Sequence, residues 1–399
     1  MKYPITPDYL SNVSDYLVGL FESLEDYLIT TICEQLNATG QLNASALEII
    51  RQLQRGGLPL AKIEAQIRKV TGLGMTELDR IFDEAVAFNN EYYDDVYDKM
   101  GLVYEDAELD QLAFDVDAIR RQTADYMRNL TQSMGFGMRG MDGGIVISDV
   151  QDTYQRILDK AAIKVTTGTV SYNEAIRDGI REMTASGLIG EWVEYADESG
   201  RVYHRNRVDV AVRRAVMTGV SQISSKYTEQ AAQDVPTPYR EVSAHRGARD
   251  KGIGWQNHKA WQGKVYSLES GDKYPSIYTV CGWGEVDGLE GANCRHMHYP
   301  FWDGISERTY TDDELKNIDP PPTEYQGRKY TAYEATQEQR KLERAIRAAK
   351  RRREAFKAAG DTEAYTAAKA RVTALYSHYE AFSKAAGLPL KMERTLTNG

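Results

Sequence analysis

No stretch between His245 and Ile305 can form a long helix, because Gly247, Gly252, Gly254, Gly263, Gly271, Gly282, Gly284, Gly288 and Gly291 punctuate it. Each glycine inside a helix costs roughly 1 kcal/mol relative to alanine. The geometry of this segment must therefore come from turns, short strands or a bound ion. The same segment holds four of the chain's six histidines, two of its three cysteines and four of its five tryptophans. Ligand-type and aromatic side chains are thus concentrated where regular structure is hardest to build, and nearly everything before and after reads as helix.

Residues 8–100 predict a helical array. Leu10, Val13, Leu17, Leu20, Phe21, Leu24, Leu28 and Ile32 recur every three or four residues, which places them on one helix face. Gly40, the Gly56-Gly57-Leu58-Pro59 turn and Gly72-Leu73-Gly74 divide this array. Thr76, with Asp79 three residues on, reads as a cap for a helix carrying Leu78, Ile81, Phe82, Ala85, Val86 and Phe88. A further helix is predicted over Leu109–Ser133. The glycine-rich residues 135–147 then read as a linker; they lack the Lys-Ser/Thr pair of a phosphate-binding loop. Ile189–His204 alternates aromatic and β-branched residues around a turn at Asp197–Gly200, a hairpin pattern. The helix after it carries Val208, Val212, Ala215, Val216, Val220 and Ile223 on one stripe. Asp319-Pro320-Pro321-Pro322 blocks helix, and Tyr333–Ala359 and Asp361–Ala386 follow as two helices with a hairpin seam from Leu342, Ile346 and Phe356 to Val372, Leu375, Tyr379 and Phe382. The expected organisation is a helical region over 1–134, the linker 135–147, a helical plus α+β module over 148–318, and a helical tail over 319–399.

At 399 residues the chain is long enough for two or three cores. No run of eighteen apolar residues occurs and the first residues lack a signal-peptide pattern, so a soluble protein without a membrane span is expected. Three cysteines suit a reducing cytoplasm better than a disulfide framework. The net charge of −10 argues against a general nucleic-acid coat. That charge is local: between Asp79 and Asp117 thirteen acids face only Arg80 and Lys99. Arg340–Arg353 is the converse, with Arg340, Lys341, Arg344, Arg347, Lys350, Arg351, Arg352 and Arg353 against Glu343 alone. Such runs either dock an opposite charge or form solvated helix faces. Arg347, Lys350, Arg351 and Arg352 are the partner-binding candidates in the tail, and Arg213 with Arg214 in mid-chain.

Several blocks occur in an order that points to a family. They are Gln122-Thr123, Asn129-Leu130-Thr131, Val212–Gln222, Val242–His245, His245-Arg246-Gly247-Ala248-Arg249, His258 followed by Trp261-Gln262-Gly263-Lys264-Val265-Tyr266, Gly288–His296 with Asn293-Cys294-Arg295-His296, and Tyr299-Pro300-Phe301. Together they resemble the phage minor capsid protein 2 family, relatives of the Mu-F-like head morphogenesis proteins of tailed phages. The resemblance runs from the N-terminus to about Ile305 and leaves the tail beyond Thr331 outside it. Its structural signature falls on Gly247, Arg249, Trp261, Gly263, Tyr266, Gly288, Gly291, Asn293, Arg295 and Pro300. It implies a mainly α protein with a smaller Mu-F-like α+β module near residues 186–305. It further implies a non-enzymatic minor capsid protein of the virion, in the head interior or at the portal vertex. Such a protein would be assembled in the bacterial cytoplasm with the portal and major capsid proteins, and act in head assembly or DNA delivery. Packaged DNA is a further candidate partner.

The histidines and cysteines also support a different reading. His245, His258, Cys294 and His296, with His298 and Cys281 as alternates, have the chemistry of zinc ligands. The Cys-x-x-Cys pair that makes zinc motifs strong is absent. The favoured expectation is accordingly no cofactor, with hydrogen-bonded histidines and buried thiols in a compact core, and a structural zinc is the rival. An enzyme built on residues 245–298, a metal-dependent nuclease or hydrolase, is the alternative function; no nucleophile signature accompanies it.

Overall fold

The structure, a computed structural model, describes residues 3–37, 45–101, 106–140, 144–197 and 200–397. The expected break at Gly40, part of the turn after Asp197 and Glu105 of the acidic stretch lie outside those residues. The fold is mainly helical with small sheets, as expected. Two compact units emerge: residues 1–17, 75–127 and 212–337 form the first, and 18–74, 128–211 and 338–399 the second. Neither is a contiguous stretch of chain. The segment expected as one module, 148–318, divides between the two at residues 211 and 212. No helix among the described residues is long and apolar enough to cross a membrane.

The helix expected to begin at Thr76 does not. One helix spans Leu60–Met100, with Gly72, Gly74 and Thr76 inside it. The glycines cost it roughly 1 kcal/mol each, but Ile63, Val70, Leu78, Ile81, Phe82 and Ala85 all bury, and burying such a side chain contributes roughly 1.5–3 kcal/mol. Tertiary burial outweighs local propensity here. Gly57 does end a helix, with φ +62° and its N–H on Leu53 O.

In the first unit the later part of this helix meets Asp106–Ser133 and Val208–Asp234. At Gly219 an added Cβ would lie 2.6 Å from Phe82 and 3.0 Å from Thr123, so glycine permits the close approach. Asn89 accepts from Ser224 and Tyr93 bonds Thr228, both in buried positions. Thr228 also donates to the carbonyl of His298 at 3.2 Å, which fixes the helix against a three-stranded antiparallel sheet. That sheet has Tyr239–Val242 at its centre, flanked by Val265–Ser267 and His298–Pro300.

In the second unit the described residues of the glycine-rich segment expected as a linker, 135–140 and 144–147, include strand. Gly135–Arg139 and Ile145–Ser148 pair antiparallel, and Leu188–Asp197 and Gly200–Arg207 extend the sheet. The expected hairpin is therefore present. Glycine serves close packing rather than flexibility: a Cβ at Gly135 would sit 2.4 Å from Ser148 O, while Phe136 and Met138 bury completely. The tail helices form Ala332–Ala358 and Thr362–Ala385, and Asp361 caps the second by accepting from Ala364 N–H. Gln339 donates to Ser383 and Tyr379 to Glu343 across the hairpin.

Part of the basic run on the first tail helix turns inward, while Lys341 and Arg344 stay exposed. Arg347 lies 2.7 Å from Glu22 and 3.6 Å from Asp209; Arg351 lies 2.6 Å from Asp26 and 3.4 Å from Glu25; Arg207 pairs with Glu25 and Asp209. Lys350 donates to Thr395 O and sits over the Tyr376 ring, and Arg352 donates to Thr184. The four tail candidates for partner binding are thus engaged within the unit. Arg347 Nε approaches Glu22 without hydrogen-bond alignment, so charge rather than a directed bond holds that pair. Arg213 and Arg214 are likewise engaged, the first with Asp15 and Ser11 O and the second with Tyr126.

Candidate functional site

Three short devices bring the cysteine and histidines together inside the first unit. The chain leaves the central strand at Val242 and turns at Gly247, whose N–H donates to Asp319 at 2.7 Å. A single helical turn, His258–Trp261, then points both His258 and Trp261 inward, three residues apart on one face. Finally the Gly288–His296 turn doubles back. A Cβ at Gly288 would lie 2.0 Å from Gly282 O and one at Gly291 2.4 Å from Val286 O. Asn293 takes φ +60°, a conformation asparagine tolerates better than most residues.

Cys294 Sγ lies 3.6 Å from His258 Nδ1 and 3.5 Å from His296 Nδ1. The N–H of His296 donates to the same sulfur at 3.4 Å. All three residues are buried, and their ligand atoms lie within 4.8 Å of one another. Each imidazole is held from behind: His258 Nε2 donates to Asp287 O at 2.9 Å and His296 Nε2 to Gln262 Oε1 at 3.1 Å. Gln262 Oε1 also accepts from the N–H of His245 at 3.0 Å, which identifies that atom as the oxygen. Asp287 in turn accepts from Trp255 and Gln256, and its carbonyl also accepts from Arg249. Val242, Trp261, Tyr266, Ile277, Cys281 and Leu289 form the surrounding apolar core with Cys294.

Burial dominates the ionisation of the group. It pushes His258 down to about 4 and His296 well below its ordinary value, His245, His258 and two arginines adding to the latter. It pushes the Cys294 thiol up to about 11. Without a cation the cluster is therefore neutral, and the thiol is the reverse of an activated nucleophile. His298 is built differently. Burial alone would lower it, but Glu290 at 2.7 Å and Glu229 at 3.1 Å prevail and raise it to about 9. Burial alone would raise Glu229, yet His298 and Arg240 hold it at about 2. His298 is thus a charged structural link between helix and sheet.

Three of the four expected ligands converge, and the fourth does not. His245 stacks on His296 with ring centroids 4.4 Å apart, while its Nδ1 faces Arg246 O and Arg295. Cys281 lies in the same core but outside the set of converging ligand atoms. The signature residues surround the cluster: Arg249 on Asp287, Arg295 on His245 and Gly247 O, Tyr266 on Trp261 O, Pro300 in the strand beside Arg240, and Gly263, at φ +71°, against Ala244. Gln262 and Asp287 were not anticipated from sequence. Gln262 sits inside a recognisable block, so its position carried a signal; a lone aspartate among glycines carried none.

A family model described as phage minor capsid protein 2 matches residues 5–383, so most of the tail beyond Thr331, expected to lie outside the resemblance, falls within it. A protein of Lactococcus phage LL-H described as "Structural protein" is 28% identical over 215 residues, which is 52% of this chain and 52% of that protein. The chain therefore spans about half the length of this relative. No solved structure matches.

Proposed function

The chain belongs to the phage minor capsid protein 2 family, and from that structural role in a phage particle we propose a finer one: association with the portal or major capsid protein inside the head, acting in head assembly or DNA delivery. The observation that carries this reading is the extent of the match, which takes in both compact units rather than one grafted module. The charge left at the surface favours a protein partner over DNA. Asp79, Asp83, Glu91, Asp94, Asp95 and Asp98 are exposed on the long helix, whereas Arg347 and Arg351 are buried against carboxylates. Displacing counterions from DNA needs available cations, and burial withdraws Arg347 and Arg351 from the densest basic run.

The test has two arms. Mass spectrometry of purified mature particles should find the protein, and deletion of its gene from a producing lysogen should disturb head formation or DNA delivery. Particles lacking the protein, together with normal heads and normal delivery in the deletion, would overturn the reading.

A further inference from the structure

We propose that His258 Nδ1, Cys294 Sγ and His296 Nδ1 are three ligands of one zinc ion, which the first unit binds as part of its fold.

The argument starts from proton count. A carbonyl oxygen only accepts, so the bond to Asp287 O places the imidazole hydrogen of His258 on Nε2. Gln262 Oε1, already accepting from the His245 N–H, places that of His296 on Nε2 as well. Both Nδ1 atoms therefore aim lone pairs at one sulfur. The thiol has one proton, and three acceptors compete for it: the two Nδ1 atoms and the carbonyl of His296 at 3.8 Å. At least one buried imidazole lone pair is left facing a sulfur lone pair, an arrangement that destabilises the fold when nothing fills it.

A divalent cation removes the conflict. It displaces the thiol proton to solvent and takes the thiolate and the two Nδ1 lone pairs as donors, with both imidazoles neutral. The spacing fits zinc. Bonds of about 2.0 Å to nitrogen and 2.3 Å to sulfur at tetrahedral angles give a nitrogen to sulfur edge of about 3.5 Å, and the two edges here are 3.6 and 3.5 Å. The N–H of His296 on the same sulfur suits a thiolate acceptor. The outer partners are also those of ligating histidines, which commonly donate their second N–H to an oxygen that fixes ring and tautomer. Two nitrogens and a sulfur select zinc over calcium or magnesium, whose ligands are oxygens. The three protein ligands leave a fourth corner of the tetrahedron open.

The test uses the full chain. Elemental analysis of protein purified without chelator should give about one zinc per molecule, and removing it with a strong chelator should lower the melting temperature, since binding energy at such a site is folding energy. Cobalt(II) added to the stripped protein should produce a thiolate to cobalt charge-transfer band with intense visible bands of tetrahedral cobalt. Cys294→Ser should abolish the charge-transfer band, and Cys281→Ser should keep it. If Cys294→Ser fails to fold, the cobalt spectrum of the unsubstituted chain decides. Protein without zinc, a melting curve indifferent to chelator, and cobalt bound without tetrahedral bands would together overturn the proposal and leave a metal-free core. A charge-transfer band lost with Cys281→Ser instead would overturn the ligand assignment.

Discussion

Replacing Arg351 with glutamine should destabilise the protein by about 3–5 kcal/mol, the range for removing one partner from a buried ion pair. The structure sets the scale. Glu22, Glu25, Asp26 and Asp209 are four buried carboxylates, and Arg207, Arg347 and Arg351 are the three guanidiniums ion-paired with them. Arg351 is 3% exposed and touches two of the acids. Its loss leaves Arg207 and Arg347 to balance four carboxylates that are each less than a tenth exposed. Glutamine retains polar atoms but no charge, so the variant isolates the electrostatic part. Arg351→Lys keeps the charge without the planar fork and should fall between the two. Lys341, nearly three turns away and exposed, pairs with Glu338 of its own helix, and Lys341→Gln should stay within about 0.5 kcal/mol of the parent. Chemical denaturation followed by far-ultraviolet circular dichroism measures all three. An Arg351→Gln variant within about 1 kcal/mol of the parent would refute the reasoning, because it would mean the cluster is solvated or its acids are already neutral.

The same cluster predicts a pH dependence. Burial raises Glu22 from 4.5 to about 7 against the pull of Arg347 and Arg351. Between those values the folded state holds the extra proton, so this group's contribution to stability falls as pH rises. Glu22→Gln should remove that fall, and equal slopes of melting temperature against pH in parent and variant would refute it. Gly288→Ala should cost more than about 2 kcal/mol, because its Cβ would meet the Gly282 carbonyl at 2.0 Å and backbone cannot swing aside; an unchanged denaturation midpoint would show the turn is built otherwise. Gly219→Ala sets a helix gain of roughly 1 kcal/mol against a clash with Phe82 worth about 1–3 kcal/mol. Net destabilisation is expected, and a stabilised variant would mean the helices do not approach as described. Removing residues 338–399 takes Arg347 and Arg351 from Glu22, Glu25 and Asp26. The truncated chain should be recovered insoluble or with a lower melting temperature; a soluble truncation melting like the parent would sink the cluster's structural role.

What could be read from the sequence was whatever local spacing determines. The tail helices follow from Gly360, the Asp361 cap and a regular apolar seam, and the observed bounds differ by a residue at each end. The 188–207 hairpin follows from alternation. Cys294 and His296 could be paired with His258 because the glycines between them force the chain to return. Glycine itself was ambiguous. At Gly72 and Gly74 it reads as a break and is helix, paid for by buried neighbours; at Gly135 and Gly137 it reads as a flexible link and instead lets two strands and a serine approach. Only the partner surface distinguishes these uses, and that surface comes from residues distant in sequence.

Charge was the least legible property, and the reason is physical. A basic run is solvated or paired according to what lies opposite, and for Arg347 and Arg351 the answer is more than three hundred residues away, on the helix that carries Glu22, Glu25 and Asp26. Those acids are themselves set among Phe21, Leu24, Leu28 and Ile29, so periodicity assigns their helix an apolar face and gives no sign that carboxylates share it. Two misleading local patterns become one consistent structure once they meet: the acids tolerate burial because the arginines are there, and the arginines leave the surface because the acids are there. The tail is consequently a component of the fold and cannot serve as a free basic arm while the second unit is intact. On Leu60–Met100, by contrast, Asp79, Asp83, Glu91, Asp94, Asp95 and Asp98 have no such buried cation opposite them among the described residues and stay exposed, which is where a cluster of like charge is stable without partners, because water screens it.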